Sequence, residues 1–282
     1  MRRLQSVLGA AVAAISLAGC IKTGSPGSNL GGGGTGSGSF YIKSYQYLQT
    51  DTVLANTSDQ YTFNLTLDNS NRITQGSQTG TNIYKGTSTS LTDNTTWTYG
   101  QGTQTGTSTL QFGNLTSSAT LVYYLNASGF PDSLVSKSTS GAATIYTKGI
   151  YSYDGNGYCT ETDAYTQIAG SYTATTQTFF TISGGNVVGE DVYLAGGGQL
   201  SSTVFNYGST PNNTILRFST PPIAGKTNQN LVESMQTTKN GVPICNLSFS
   251  YTFDSKNRVA SCTQTTPSGK VFAKFYNIQY IN

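Results

Sequence analysis

The chain contains no histidine and little charge of either sign. Its 282 residues include 15 Lys and Arg, 12 Asp and Glu, and no His, so 10% are charged, against roughly 25% in average soluble domains. Without histidine, Ser-His-Asp and Cys-His nucleophile systems and His-ligated zinc are excluded. The few bases form no basic surface, so we expect no nucleic-acid partner. No residue spacing indicates a metal or phosphate site, so we expect no cofactor.

Residues 1–19 have the features of a secretory signal peptide. Arg2 and Arg3 form the charged start, and the apolar run over residues 7–18 is too short for a permanent membrane span. The segment Leu17-Ala18-Gly19-Cys20 that ends the leader resembles a bacterial lipobox. That resemblance implies cleavage after Gly19 and acylation of Cys20, which would attach the chain to a membrane.

Two further segments follow the leader. Residues 20–39 begin with the lipidated cysteine and are rich in Gly and Ser, which predicts a flexible tether. Residues 40–282 predict a single β-rich domain, because runs of Tyr, Thr, Val, Ile and Phe are broken every few residues by Gly, Asn and Ser. The best helix candidate in this domain is residues 230–236, at most two turns long.

A nine-residue pattern recurs five times in the domain. Its fourth position is Asp, Asn or Ser, whose side chain accepts hydrogen bonds from turn amides, and its seventh is Gly or Asn, which tolerate a left-handed backbone. Together they predict a hairpin loop closed by a left-handed residue and followed by a bulge. The residues at positions four and seven are Asp68 and Asn71, Asn126 and Gly129, Asp154 and Gly157, Ser183 and Asn186, and Asp254 and Asn257.

The hairpin pattern also predicts strand register. Pairing Asp254 with Arg258 places Val259 opposite Phe253, so that the apolar positions share one face. Weaker turn signals occur near Gly100, at residues 211–213 and at Asn240-Gly241.

The spacing of the turns indicates an all-β fold. We expect a long antiparallel meander of hairpins that forms a strongly curved sheet, a half-barrel or open barrel, over an apolar interior; a β-sandwich is the alternative. Residues 40–48 and 272–280 carry aromatic groups on both faces. These terminal strands are therefore either half-buried on both faces or paired with each other, which would close a barrel.

Residues 225–232, the segment Tyr251-Thr252-Phe253-Asp254 and the closing segment Tyr276-Asn277-Ile278-Gln279-Tyr280 resemble a domain of unknown function in Bacteroidota lipoproteins. The turn itself is similar to the tyrosine–aspartate hairpin repeats of bacterial cell-surface proteins. Ser183 and Val187 depart from the usual Asp and Tyr or Arg of that repeat. The resemblance implies a location at the outer membrane and brings no activity with it.

The resemblance also bears on which side of the membrane the domain occupies. In that phylum an acidic stretch after the lipidated cysteine is associated with surface export, and residues 21–24 contain no acid. We therefore expect an anchor that faces the periplasm, with surface exposure as the alternative.

Three cysteines remain after Cys20. The predicted register places Cys159 and Cys245 on the buried face and Cys262 on the opposite one. A Cys159–Cys245 disulfide is possible in an oxidising envelope, but two buried thiols are the favoured interpretation.

Two carboxylates are the best catalytic candidates. Glu161 and Asp163 lie two residues apart on one strand face, a spacing that a glycosidase pair can use, although a solvated strand face is the favoured interpretation. Glu190 and Asp191 follow the fourth turn.

The leading functional hypothesis is a non-enzymatic, lipid-anchored envelope protein that serves as a binding or structural module. The alternative is a carrier or chaperone that holds a lipid or acyl chain in the hollow of the curved sheet. A glycan-binding or glycan-active protein is a third, less favoured class, because the 19 Tyr accompany only one Trp and strand packing explains a surplus of Tyr.

Overall fold

The computed structural model describes residues 42–50, 56–69, 73–212, 225–226 and 228–280. The leader, Cys20, the tether and the turn residue Asn71 lie outside these residues. Within them the chain forms sixteen β-strands. Their bounds are β1 (Ile42–Thr50), β2 (Ser58–Leu67), β3 (Ile73–Tyr84), β4 (Thr87–Gly100), β5 (Thr103–Phe112), β6 (Leu115–Leu125), β7 (Pro131–Ser140), β8 (Ala143–Tyr153), β9 (Cys159–Ile168), β10 (Ser171–Ser183), β11 (Asn186–Leu194), β12 (Gln199–Pro211), β13 (Asn230–Lys239), β14 (Val242–Phe253), β15 (Val259–Thr265) and β16 (Val271–Tyr280).

The strands form a closed antiparallel barrel in which each strand pairs with its neighbours in sequence and β1 pairs with β16. The expected all-β meander is confirmed, but the half-barrel or open barrel and the β-sandwich are wrong. Closure is stabilised by aromatic contacts that both terminal strands share. Tyr45 and Tyr47 of β1 both pack against Phe275 of β16, at 6.0 Å and 4.9 Å between ring centroids. An open sheet would expose these rings at its two edges.

The best helix candidate, residues 230–236, is not a helix, because these residues lie in β13. Met235 is paired with Phe205 of β12 on one side and with Leu247 of β14 on the other. The segment has good helix formers, but backbone hydrogen bonds to two strands and burial of Leu231 and Val232 outweigh that propensity.

Three turns have the geometry that the nine-residue pattern predicts. In one of them the Asp154 Oδ1 accepts hydrogen bonds from the backbone N–H of Asn156 at 3.0 Å and of Tyr158 at 2.8 Å. Asn126 and Asp254 do the same in their own turns. The seventh positions are left-handed, with φ of 76° at Gly129, 85° at Gly157 and 58° at Asn257.

The register expected at the last of these turns is also present. Phe253 is paired with Val259, and the backbone N–H of Asp254 donates to the Arg258 carbonyl at 2.8 Å. Asp68 directly follows β2, at the expected start of the first turn.

The fourth predicted turn is wrong. Ser183 ends β10 and Asn186 begins β11, and the two residues are paired across a two-residue loop. Gly184 and Gly185 form that loop with φ of 54° and 74°. Two consecutive glycines adopt both left-handed positions of a tight turn without strain, so the longer loop is not needed. Asn186 instead accepts a hydrogen bond from the Asn230 backbone N–H at 2.9 Å.

Three turns at the opposite end of the barrel have only two residues. Lys85-Gly86, Ala169-Gly170 and Asn240-Gly241 each join two strands with both residues at positive φ. The turn signal at Asn240-Gly241 was correctly identified, whereas the first two turns contain Lys and Ala at left-handed positions and gave no signal.

Candidate functional site

Cross-strand pairing assigns every strand residue to the inside or the outside of the barrel, because directly paired residues share a face and successive residues alternate. In β4 the inward residues are Leu91, Asp93, Thr95 and Trp97, all buried. The intervening outward residues are Ser90, Thr92, Asn94 and Thr96. The interior is therefore the less polar face on this strand.

One end of the barrel is filled by its own side chains. We call it the closed end; it carries the turns at residues 126–130, 154–158 and 254–258. Inward side chains near it are 0–9% exposed, among them Tyr45, Ile73, Trp97, Leu121, Tyr123, Cys159, Phe180, Val187, Phe205, Val232, Phe249, Val259, Cys262, Phe275 and Tyr280. Side chains that line an aqueous channel would be exposed to water. Because these side chains are buried instead, the closed end is packed with side chains.

The described residues just before β13 contact two hairpins at the closed end. Gly225 forms a bridge with Tyr158, and the backbone N–H of Lys226 donates to the Gly157 carbonyl at 2.9 Å. The Asn228 Oδ1 accepts from the backbone N–H of Val187 at 2.8 Å. These bonds tie the segment to two neighbouring hairpins and satisfy backbone groups that the bulges leave unpaired.

The opposite end has the reverse property. Six large apolar residues there face inward by their pairing and are 37–61% exposed. They come from six strands around the barrel, and we call them the open rim: Tyr84, Leu115, Ile145, Ile168, Leu194 and Val242. An exposed apolar ring on the inner side of a barrel mouth is a feature of sites that bind apolar groups.

A buried polar cluster lies on the inner wall between the open rim and the closed end. Gln78 of β3 is directly paired with Asp93 of β4, and the two are 8% and 5% exposed. The Ser108 hydroxyl donates to the Asp93 Oδ1 at 2.6 Å. Burial raises the pKa of the Asp93 carboxyl, and the hydrogen bonds from Ser108 and from the Asn94 backbone offset part of that rise.

A second inward carboxylate lies on β11. Glu190 is paired with Phe180 on one side and with Thr203 on the other. Burial, together with the neighbouring charge of Asp191, raises the pKa of Glu190. Asp191 itself faces outward, paired with Phe179, so these two consecutive acids occupy opposite faces of the sheet and do not form one site.

The predicted glycosidase pair lies on the outer surface. Glu161 is paired with Phe179 and Asp163 with Gln177, all at outward positions. The Gln177 Nε2 donates to the Asp163 Oδ1 at 2.9 Å. The two carboxylates share a strand face, as expected, but that face is convex, whereas catalytic acids work in clefts that exclude water.

Cys159 and Cys245 have the favoured thiol form, and only the outward position expected for Cys262 is contradicted. Cys159 and Cys245 are thiols and form no disulfide; they belong to different apolar clusters. Cys262 is fully buried rather than outward. The reason is a bulge in β15: Phe253 pairs with Val259 but Thr252 pairs with Ser261, so Ala260 is an extra residue. Beyond it the alternation is inverted, and both Val259 and Cys262 face inward.

Within the described ranges, no group of three or more His, Cys, Asp and Glu residues is placed to hold a metal ion. No helix in the same ranges is long and apolar enough to cross a bilayer.

The sequence reasoning missed the residues of the open rim and the cluster of Gln78, Asp93 and Ser108. A signal for Asp93 is present. Leu91, Trp97 and Tyr99 occupy alternate positions around it, so an acid shares the parity of three apolar residues on one strand.

Comparison with known proteins gives a likeness of fold. No family model matches the chain, and no curated protein matches it. Solved structures do match it, and two of them are porin-like proteins from Bacteroides. One is a porin-like protein from Bacteroides uniformis, with a TM-score of 0.58 and 12% identity over 85% of this chain and 98% of that chain. The other is a porin-like protein from Bacteroides vulgatus, with a TM-score of 0.52 and 11% identity over 86% of this chain and 99% of that chain. At this identity the barrel fold is what the chain shares with both.

Proposed function

We propose that the chain is a non-enzymatic, lipid-anchored protein of the outer membrane whose barrel stays in water and binds the apolar part of a ligand at its open rim. The observation that carries the proposal is the distribution of polarity: apolar groups point inward and are exposed at one mouth, whereas the outward positions of β4 and β5 are polar.

The outer surface argues against insertion of the strands into a bilayer. A membrane-spanning barrel presents an apolar band about 25 Å tall to the lipid. The outward positions of β5 here are Thr103, Thr105, Thr107, Thr109 and Gln111, and those of β4 are Ser, Thr and Asn up to the terminal Gly100. Burying these hydroxyl and amide groups in hydrocarbon would cost several kcal/mol per unsatisfied group.

The predicted anchor fits this arrangement. β1 begins at Ile42 at the closed end, since Ile42 is paired with Tyr280 there. A tether from an acylated Cys20 therefore reaches the barrel at its packed end. The open rim lies at the other end of every strand, away from the point of attachment and accessible to a ligand in the periplasm, the side on which the lack of an acidic stretch after Cys20 places the domain.

The comparisons support an envelope location, because both porin-like proteins come from Bacteroides and the lipoprotein resemblance of the sequence points to the same phylum. The inward acids are not gathered into a catalytic pair, and the outward acids lie on a convex surface, which favours binding over catalysis.

The decisive experiment uses the mature chain with Cys20→Ser, secreted behind an ordinary cleavable leader. We expect it to remain folded and monodisperse without detergent and to bind the uncharged fluorophore N-phenyl-1-naphthylamine. Replacing Ile168 and Leu194 together by Ser should weaken that binding at least about tenfold, since each change removes exposed apolar area at the rim.

Val204→Ser is the matched control, because Val204 is 51% exposed but faces outward. Its binding should equal that of the parent. A requirement for micelles to keep the barrel folded would refute the water-exposed barrel, and equal losses at the rim and at Val204 would refute the rim as the site.

A further inference from the structure

The cluster of Gln78, Asp93 and Ser108 contains a hydrogen-bond acceptor without a donor. Gln78 is more than nine-tenths buried. Its Oε1 atom is buried as well, and it has no hydrogen-bond partner. A buried carbonyl in this condition costs about 1–3 kcal/mol relative to a satisfied one. Its directly paired neighbour Asp93 also accepts, because its Oδ1 takes the Ser108 hydroxyl proton.

The strands on either side of the cluster supply an acid and no base on their inward faces. Along the inward faces of β2–β6 no position holds Lys or Arg. Asp59 adds a second inward acid on β2, where it accepts a hydrogen bond from Asn82. Lys137 on β7, the strand next to β6, faces outward, paired with Thr120 and Tyr146, and the inward Lys239 of β13 lies at the rim, paired with Val242. A buried carboxylate without a cationic partner favours a positively charged ligand group.

The cluster is close to the open rim and separated from it by apolar side chains. Asp93 is paired with Leu110, which is paired with Ser117, two residues from the rim residue Leu115. Two strand residues span about 7 Å. Tyr61, Leu91 and Leu110 form the buried apolar wall on this side. A ligand whose polar head reaches Asp93 therefore lays its apolar tail along this wall toward the rim.

We propose that Gln78 and Asp93 bind the protonated amine of an amphiphile, with Ser108 positioning the Asp93 carboxylate and with the alkyl chain at the open rim. A primary ammonium carries three N–H donors. They are enough to bond both to the unpartnered Gln78 oxygen and to the remaining acceptor positions of the Asp93 carboxylate. The inference rests on the proposed function, since it names the class of ligand that the same mouth takes.

The test compares three short-chain ligands of equal length, octylamine, octyltrimethylammonium and octanoate, by calorimetric titration of the mature chain with Cys20→Ser at pH 7. Octylamine should bind at least about tenfold more tightly than the other two. Octyltrimethylammonium has the same charge but no N–H donor, so it separates hydrogen bonding from charge. These three titrations use the protein with an unsubstituted cluster, so they test the amine site even if a cluster variant fails to fold.

Two substitutions in the cluster give an independent readout. Asp93→Asn and Gln78→Leu should each reduce octylamine affinity about tenfold or more and leave octanoate affinity equal or higher. Gln104→Leu is the matched control, because Gln104 is also inward and buried but hydrogen-bonds to Tyr99 rather than to the cluster; its octylamine affinity should not change.

The outcomes separate the two proposals. Equal binding of all three ligands, with no effect of Asp93→Asn, would overturn the amine site and leave the apolar mouth intact. Tight binding of octyltrimethylammonium would overturn the role of the Gln78 oxygen. Failure of every octyl ligand and of the uncharged fluorophore to bind would overturn the proposed function and the amine site together.

Discussion

At the scale of single residues, the left-handed positions of the closed-end turns constrain which residues the chain can carry there. Gly129 and Gly157 have similar positive φ, but their surroundings differ. A Cβ atom at Gly129 would meet no atom within 4 Å, whereas one at Gly157 would lie 2.9 Å from the Phe130 ring. The two sites therefore separate the cost of the backbone conformation from the cost of a steric clash.

Gly129→Ala should lower the free energy of unfolding by about 1–2 kcal/mol, the cost of a left-handed non-glycine residue. Gly157→Ala should cost more, because Phe130 must also move, and Gly157→Val more again. Denaturant unfolding measures each value. Asn156→Val is the control; it should be mild, since only the Asn156 backbone N–H bonds in the turn. Equal effects of Gly157→Val and Asn156→Val would contradict the assigned turn.

The Asp254 carboxylate makes the stability of its turn depend on pH. Partial burial acts to raise the pKa of its carboxyl, but hydrogen bonds from the Arg258 backbone, the Arg258 guanidinium at 2.7 Å and the Lys256 backbone, with the charge of Arg258, lower the pKa overall. Because the folded-state pKa is lowered, the stabilisation is present above the ordinary carboxyl pKa near 4 and is lost as pH falls through the folded value.

Asp254→Asn should therefore lower the melting temperature at pH 6 to 7, and the difference from the parent should shrink below about pH 4. Thermal melts across that range measure it. A difference that stays constant down to pH 2.5 would show that the charge of Asp254 contributes nothing.

At the scale of strands and hairpins, the sequence predicted local features well and longer-range ones poorly. The turns at Asn126, Asp154 and Asp254 were predictable because each is encoded by side chains within five residues. The strand at 230–239 was not, because its two partners outweigh its helix-forming residues. The inverted alternation of β15 depends on Ala260, a residue that carries no sign of a bulge, so the position of Cys262 was beyond pattern reasoning.

The bulge has a chemical consequence for the thiols. Burial raises the pKa of Cys262 to about 12, partly offset by a hydrogen bond with Tyr251, and Cys159 is also buried. Cys245 is half-exposed. With maleimide at pH 8, Cys245 should react first and Cys262 only on unfolding, since the thiolate is the reactive form; peptide mass spectrometry reads the order. Early labelling of Cys262 would mean that strict alternation holds in β15.

At the scale of the whole molecule, closure is the feature that sequence reasoning left open. The aromatic residues of the terminal strands were consistent both with burial on two faces and with pairing to each other. Choosing between them requires the summed twist and register of fourteen intervening strands, which no local pattern contains. The candidate site was missed for the same reason, because the open rim gathers residues from six hairpin strands that only closure brings together.

Closure also predicts how the chain tolerates cutting. A circular permutant that joins residue 280 to residue 42 through a short linker and opens at Asn240-Gly241 should fold with nearly unchanged melting temperature, because Ile42 and Tyr280 are paired and the opened turn is exposed. Deleting residues 271–282 should instead give aggregation, since β1 and β15 both become open edges. Size-exclusion chromatography and thermal melts distinguish the two; a soluble, cooperative deletion variant would contradict an essential closing strand.

The pairing of β1 with β16 has a consequence for biogenesis. Every other pairing joins strands adjacent in sequence, so those hairpins can form one after another as the chain is made. The Asn277 side chain, however, donates to Gln46, 231 residues earlier. The first strand has one unpaired edge until nearly the entire polypeptide is present, and during that interval this edge can pair with another chain.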